Sequence, residues 1–143
     1  MPPEAEPSLS QLPEEVRALL RERIESYEQL EVLFALRNDR REQTAQEMSV
    51  QLAIDRTLAD STLAELQAQG LAELRGRDPE PRYLYAPANP QLDQAVAHLA
   101  RLYAEQPIAI LKILSANAIR RVRTGALRAF ADAFILRKDT DRG

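Results

Sequence analysis

Residues 44 to 71, TAQEMSVQLAIDRTLADSTLAELQAQGL, decide the fold. Thr44 followed by Glu47 has the capping-box spacing, in which hydroxyl and carboxylate each satisfy an orphan backbone donor of a first helical turn. A short helix therefore starts at Thr44, with Met48, Val50 and Leu52 as its apolar content. Ala53-Ile54-Asp55 leads to another polar start, and Asp55 caps a further helix bearing Leu58, Ala59, Leu63 and Leu66. Gly70 stands where a left-handed residue ends a helix.

Working outward, the periodicity changes after Gly70. Leu71-Ala72-Glu73-Leu74 and Arg82-Tyr83-Leu84-Tyr85 are short strand-like runs around the Gly/Pro segment 75–81, which predicts a hairpin. Upstream, Pro13-Glu14-Glu15 is a helix start, and Val16, Leu19, Leu20, Ile24, Tyr27, Leu30, Leu33 and Phe34 recur at spacings of three and four. One helix is expected from there to about Arg37, ending at Asn38-Asp39. Downstream, Leu92, Val96, Leu99, Leu102 and Tyr103 predict a helix ended by Pro107. Ile108 to Leu114 is apolar almost all round and is expected to be buried. A last helix from about Ala116 to Arg137 places Ile119, Val122, Leu127, Phe130, Phe134 and Ile135 on its apolar side, with a weak point at Gly125.

Residues 47 to 71 resemble the bacterial winged helix-turn-helix transcriptional regulators. Leu52, Ile54, Ala59, Leu63, Leu66, Gly70 and Leu71 fall on that family's apolar and glycine positions, and Arg82-Tyr83-Leu84-Tyr85 is similar to its returning wing strand. The resemblance runs from about residue 39 to 87. It implies a mainly α chain with a small β-hairpin wing (α+β), a winged helix-turn-helix with additional N- and C-terminal helices. The expected division is a disordered tail at 1–12, a winged helix-turn-helix domain at 13–90, a C-terminal helical extension and candidate dimerisation region at 91–138, and a tail at 139–143.

The resemblance also implies a DNA-binding regulator acting as a homodimer on duplex DNA. The outward side of the helix after Asp55 is expected to carry Arg56, Thr57, Asp60, Ser61, Ala64 and Glu65. The candidate DNA contacts are Thr44, Arg56, Thr57, Ser61 and Thr62, with Arg75, Arg77 and Arg82 on the wing. The acidity of this segment departs from the family's pattern. Residues 40 to 86 carry 6 basic and 8 acidic side chains, and carboxylates near phosphates are repelled. The alternative reading is a protein-protein interaction module that keeps the winged fold without sequence-specific DNA binding.

Composition sets the outer bounds. Only 5% of residues are aromatic, which favours aliphatic helix packing over an all-β fold. With no Cys, disulfides, thiolate metal sites and a cysteine nucleophile are excluded, and one His leaves little for any metal. No phosphate-cradling glycine loop or nucleophile-base pair stands out, so no enzyme, catalytic residue or cofactor is expected. His98 and the tyrosines at 83 and 85 are expected to be structural. No apolar run reaches the ~20 residues of a membrane span, and MPPEAEPS lacks both parts of a signal peptide, so a cytoplasmic protein is expected.

The formal net charge of −3 is unevenly spread. Residues 1 to 36 hold 8 acidic and 3 basic side chains, and residues 112 to 143 hold 3 acidic and 8 basic. That split suits an intramolecular or dimeric charge match, or a basic surface around Arg120, Arg121, Arg123, Arg128, Arg137 and Lys138 kept for an anionic partner.

Overall fold

The computed structural model describes the backbone of residues 12–141 and the side chains of residues 12–133. Residues 1–11 of the first expected tail and 142–143 of the second lie outside the described residues, as do the side chains of Phe134, Ile135, Arg137 and Lys138, and residues 139–141 are helical backbone. Leu12, grouped with the first tail on sequence, is buried in the core.

The expected first helix is two helices. α1 (Glu14–Glu22) follows Pro13, has Glu14 and Glu15 at the positive end of its dipole, and buries Val16, Leu19 and Leu20. Ser26 then restarts the backbone pattern, its hydroxyl accepting from the Gln29 amide at 3.1 Å, and α2 (Tyr27–Asp39) begins. The break has a packing cause. With Ile24 buried in the bend, α1 turns Leu19 and Leu20 inward while α2 buries Leu30, Val32, Leu33 and Leu36 over a wider arc than one straight stripe allows.

A two-residue strand, β1 (Gln43–Thr44), leads into α3 (Ala45–Leu52). The capping box is present: Thr44 Oγ1 accepts from the Glu47 amide at 3.1 Å, and the Glu47 carboxylate accepts from the Thr44 amide at 3.2 Å. α4 (Arg56–Ala68) is capped by Asp55, which accepts from the amides of Thr57 and Leu58. Gly70 adopts φ +76°, where a Cβ would be strained, and the chain enters β2 (Ala72–Gly76). β3 (Arg82–Tyr85) returns antiparallel, and β1 joins its other side, Gln43 opposite Tyr83 and Thr44 opposite Arg82, giving the order β1-β3-β2. The molecule is thus mostly helical with one small antiparallel sheet.

α5 (Pro90–Glu105) is capped by Asn89, and α6 (Pro107–Asp141) runs unbroken where two segments were expected. Gly125 sits within it with open space around its Cβ position, so the helix neither needs nor avoids a side chain there. α5 packs on α1, and the core is continuous from Leu12 through Leu33, Met48 and Leu63 to Leu99 and Leu114. Ile108 to Leu114 is two-faced rather than buried all round: Ala109, Ile110, Ile113 and Leu114 are covered, whereas Ile108 and Lys112 face out. Ile119, Val122, Leu127 and Phe130, expected on a covered face, are between 59% and 73% exposed. Among the described residues no helix is long and apolar enough to cross a membrane.

Candidate nucleic-acid interface

α4 is held at both ends, which leaves one face free. Its first residue, Arg56, ion-pairs at 3.1 Å with Glu80 in the β2–β3 loop, so the loop stands beside the helix start. At its other end the Arg23 guanidinium donates to the carbonyl of Gln69, and Gln29, a buried residue of α2, donates to the Glu65 carboxylate at 2.5 Å. Ala59, Thr62, Leu63 and Leu66 face the core. Arg56, Thr57, Asp60, Ser61, Ala64 and Glu65 are exposed, as the helical period dictates.

The eight candidate contacts divide accordingly. Thr57, Ser61 and Arg56 lie together on the open face of α4, where the Ser61 hydroxyl donates to the Leu58 carbonyl at 3.1 Å. Thr62 is 2% exposed and packs inward. Thr44, in β1, is 9% exposed and its hydroxyl is occupied in the capping box. Neither threonine presents itself to a ligand. Leu58, assigned to the inner side by spacing, is 38% exposed.

The hairpin brings Arg75, Arg77 and Arg82 to one edge, but two of the three are met by carboxylates. Arg82 Nε lies 3.2 Å from Glu42, and its guanidinium also donates to the Asp78 carbonyl at 3.3 Å. Arg75 lies 3.6 Å from the same Glu42 and 3.2 Å from Glu73. The Arg82 guanidinium lies across Gly76, where a Cβ would come within 2.5 Å of it, so the glycine makes room for this side chain. Arg77 is exposed and has no ion pair among the described residues. Arg41, at the approach to β1, pairs with Glu47 at 2.9 Å and holds that carboxyl below the usual range, helped by the Thr44 amide.

Glu42 is the site residue that sequence spacing missed. It reaches the hairpin because β1 pairs with β3, a contact between segments some forty positions apart. Tyr83 is buried beneath the sheet and Tyr85 donates to Asp93 at 2.7 Å, so both brace the hairpin. His98 faces Glu15 of α1 at 3.1 Å.

The open face is therefore a polar shelf: α4 hydroxyls, an acidic Asp60, one unpaired arginine and three paired ones. Among the described residues no three His, Cys, Asp or Glu side chains cluster to hold a metal. The arrangement can donate hydrogen bonds and, if its carboxylates are displaced, concentrate positive charge. Searches of protein-family models, curated proteins and solved structures find no match to this chain.

Proposed function

We propose that this chain is a winged-helix DNA-binding protein, a transcriptional regulator that acts as a dimer. One observation carries the reading: the order α2-β1-α3-α4-β2-β3, with the sheet arranged β1-β3-β2, leaves α4 open beside a protruding hairpin. In that layout the outer face of α4 enters a major groove while the hairpin, as the wing, lies along the backbone or in the minor groove. Thr57 donates to phosphates or base edges, Ser61 can do so once its hydroxyl turns from the Leu58 carbonyl, and Arg77 supplies the first cation. For Arg75 and Arg82 to join, phosphate must replace Glu42, and for Arg75 also Glu73, as partner, so binding is expected to be weak.

The same ion pairs favour a second reading, an interaction module that keeps the fold and binds protein. A neutralised hairpin edge is costly to place on a polyanion and well suited to a protein surface with its own mixed charges.

A salt titration of binding to generic duplex DNA separates the two. The regulator predicts measurable binding at ~50 mM salt that weakens steeply with added salt, with a shallower slope when Arg75 and Arg77 are replaced by Ala. Absence of binding at that salt removes the regulator reading and leaves the interaction module.

A further inference from the structure

α6 has two faces with different fates. Ile110, Leu114 and Asn117 pack on the body, and the face ends at Arg121, whose guanidinium donates to the carbonyls of Leu20 and Arg21 at 3.3 and 3.2 Å. Beyond that point the same side turns polar with Thr124 and Arg128, and every described side chain from Val122 to Ala133 is exposed. The helix nevertheless continues to Asp141, about 30 Å further.

On the opposite side a second apolar row does not stop where the body does. Ser115, Ile119, Val122, Ala126, Phe130 and Ala133 follow one another at spacings of four and three, a helical stripe with nothing over it among the described residues. Val122 and Phe130 are 73% and 72% exposed. A helix projecting without tertiary contacts is only marginally stable in water, so an unpartnered arm of this length calls for a cover.

We infer that the cover is α6 of a second copy, laid antiparallel across a two-fold axis near Val122. The stripe is complementary to its own reverse. Antiparallel pairing sets bulky Phe130 against small Ser115 and Ile119 against small Ala126. Parallel pairing would set Phe130 on Phe130 and Ser115 on Ser115, leaving voids between the small residues.

Two grooves along α6 agree with this direction. One, of about 400 Å³, is lined by Ile119, Val122 and Ala126 and rimmed by Arg123. It meets at Ala118 a second groove, of about 510 Å³, lined by Tyr27, Leu111, Leu114 and Ser115 and rimmed by Glu25. Reversal carries the partner's Phe130 over the second groove.

The inference rests on the dimer in the proposed function and specifies its surface; it does not involve DNA. Because the chain has no native cysteine, single cysteines report the geometry without background. In the full-length protein, Val122→Cys is expected to form disulfide-linked dimers on mild oxidation. Phe130→Cys alone is expected not to, whereas an equal mixture of Phe130→Cys and Ser115→Cys chains should cross-link. Efficient self-linking of Phe130→Cys would overturn the antiparallel arrangement.

Sedimentation without DNA is the second arm. Wild type is expected to be dimeric at micromolar concentration, and Val122→Glu and Phe130→Glu each to weaken association at least tenfold. Both positions are exposed in the monomer, so the near-ultraviolet spectrum of the packed body should be unchanged. A monomeric wild type removes the dimer itself, whereas a dimer that persists in both glutamate variants removes this surface and leaves the dimer standing.

Discussion

The Glu42 carboxylate lies 3.2 Å from the Arg82 guanidinium, joining the approach to α3 to the returning strand of the hairpin. It also reaches Arg75 at 3.6 Å, so one acid partly neutralises two of the three hairpin arginines. Glu42→Gln keeps the shape and removes the charge. If the hairpin engages phosphates, this variant binds duplex DNA more tightly than wild type at low salt and with a steeper salt slope, because Arg82 no longer has a competing carboxylate and Arg75 keeps only Glu73. The groups are exposed, so stability should change by less than about 1 kcal/mol. Unchanged DNA affinity in Glu42→Gln would show that the hairpin stays clear of the phosphates.

Thr44 is the cap of α3. Its Oγ1 satisfies the Glu47 amide, and Thr44→Ala should destabilise the fold by about 1 kcal/mol in urea titration. DNA affinity measured well below the melting point should stay the same. Glu47 adds a pH signature. Its folded pKa is depressed, chiefly by Arg41, so its contribution is present above the ordinary carboxylate range and is lost as pH falls through the folded value. Glu47→Gln should therefore show a shallower acid-side loss of stability than wild type, and an equally steep loss would assign the acid sensitivity elsewhere.

These two residues show what a sequence can reveal of such a fold. The Thr44–Glu47 box, the Asp55 cap and the left-handed Gly70 are local, each written within four residues, and each is found where the spacing puts it. The break at Ser26 was hidden because Ile24, Tyr27 and Leu30 continue the apolar period across it; only packing against α4 and α5 selects two helices. β1 and Glu42's reach to the hairpin depend on a pairing between distant segments, for which no spacing rule exists. The burial of Thr62 was lost between two adjacent helical positions, since Thr57 and Ser61 face out and the next residue turns in. Gly125 suggested a weak point, but its cost of about 1 kcal/mol is too small to break a helix with strong formers on both sides.

Gly70 joins α4 to β2 at φ +76°, and a Cβ there would meet Ala88 at 3.4 Å and Arg23 at 3.5 Å. The space is nearly sufficient and the backbone is not, so Gly70→Ala should cost about 1–2 kcal/mol, most of it from the left-handed conformation. A neutral effect in thermal unfolding would mean that this turn relaxes to another conformation. Because the Arg23 guanidinium donates to the neighbouring Gln69 carbonyl, Arg23→Met should also loosen the end of α4, seen as faster amide exchange at Leu66 and Leu71.

All four tyrosines are pushed above the ordinary phenol value, each for an identifiable reason. Tyr103, half-buried and donating to Glu31 at 3.1 Å, rises to about 12, first through burial and then through that carboxylate. Tyr85 rises further, through burial and its bond to Asp93. Burial lifts Tyr83, and the Glu31 carboxylate lifts Tyr27. A phenol whose folded pKa is raised contributes stability that is fully present below its unfolded value near ~10 and is lost as pH rises through the folded value. The native protein should therefore form little tyrosinate at a pH where the chain in denaturant is mostly ionised, and its stability should decline from about pH 10 towards 12. Tyr103→Phe should reduce that alkaline decline while leaving stability near neutrality within about 1.5 kcal/mol, the value of one hydrogen bond. Superimposable tyrosinate titrations of native and denatured chains would show that these phenols are free in solution and that the Tyr103–Glu31 and Tyr85–Asp93 bonds do not hold the helices together.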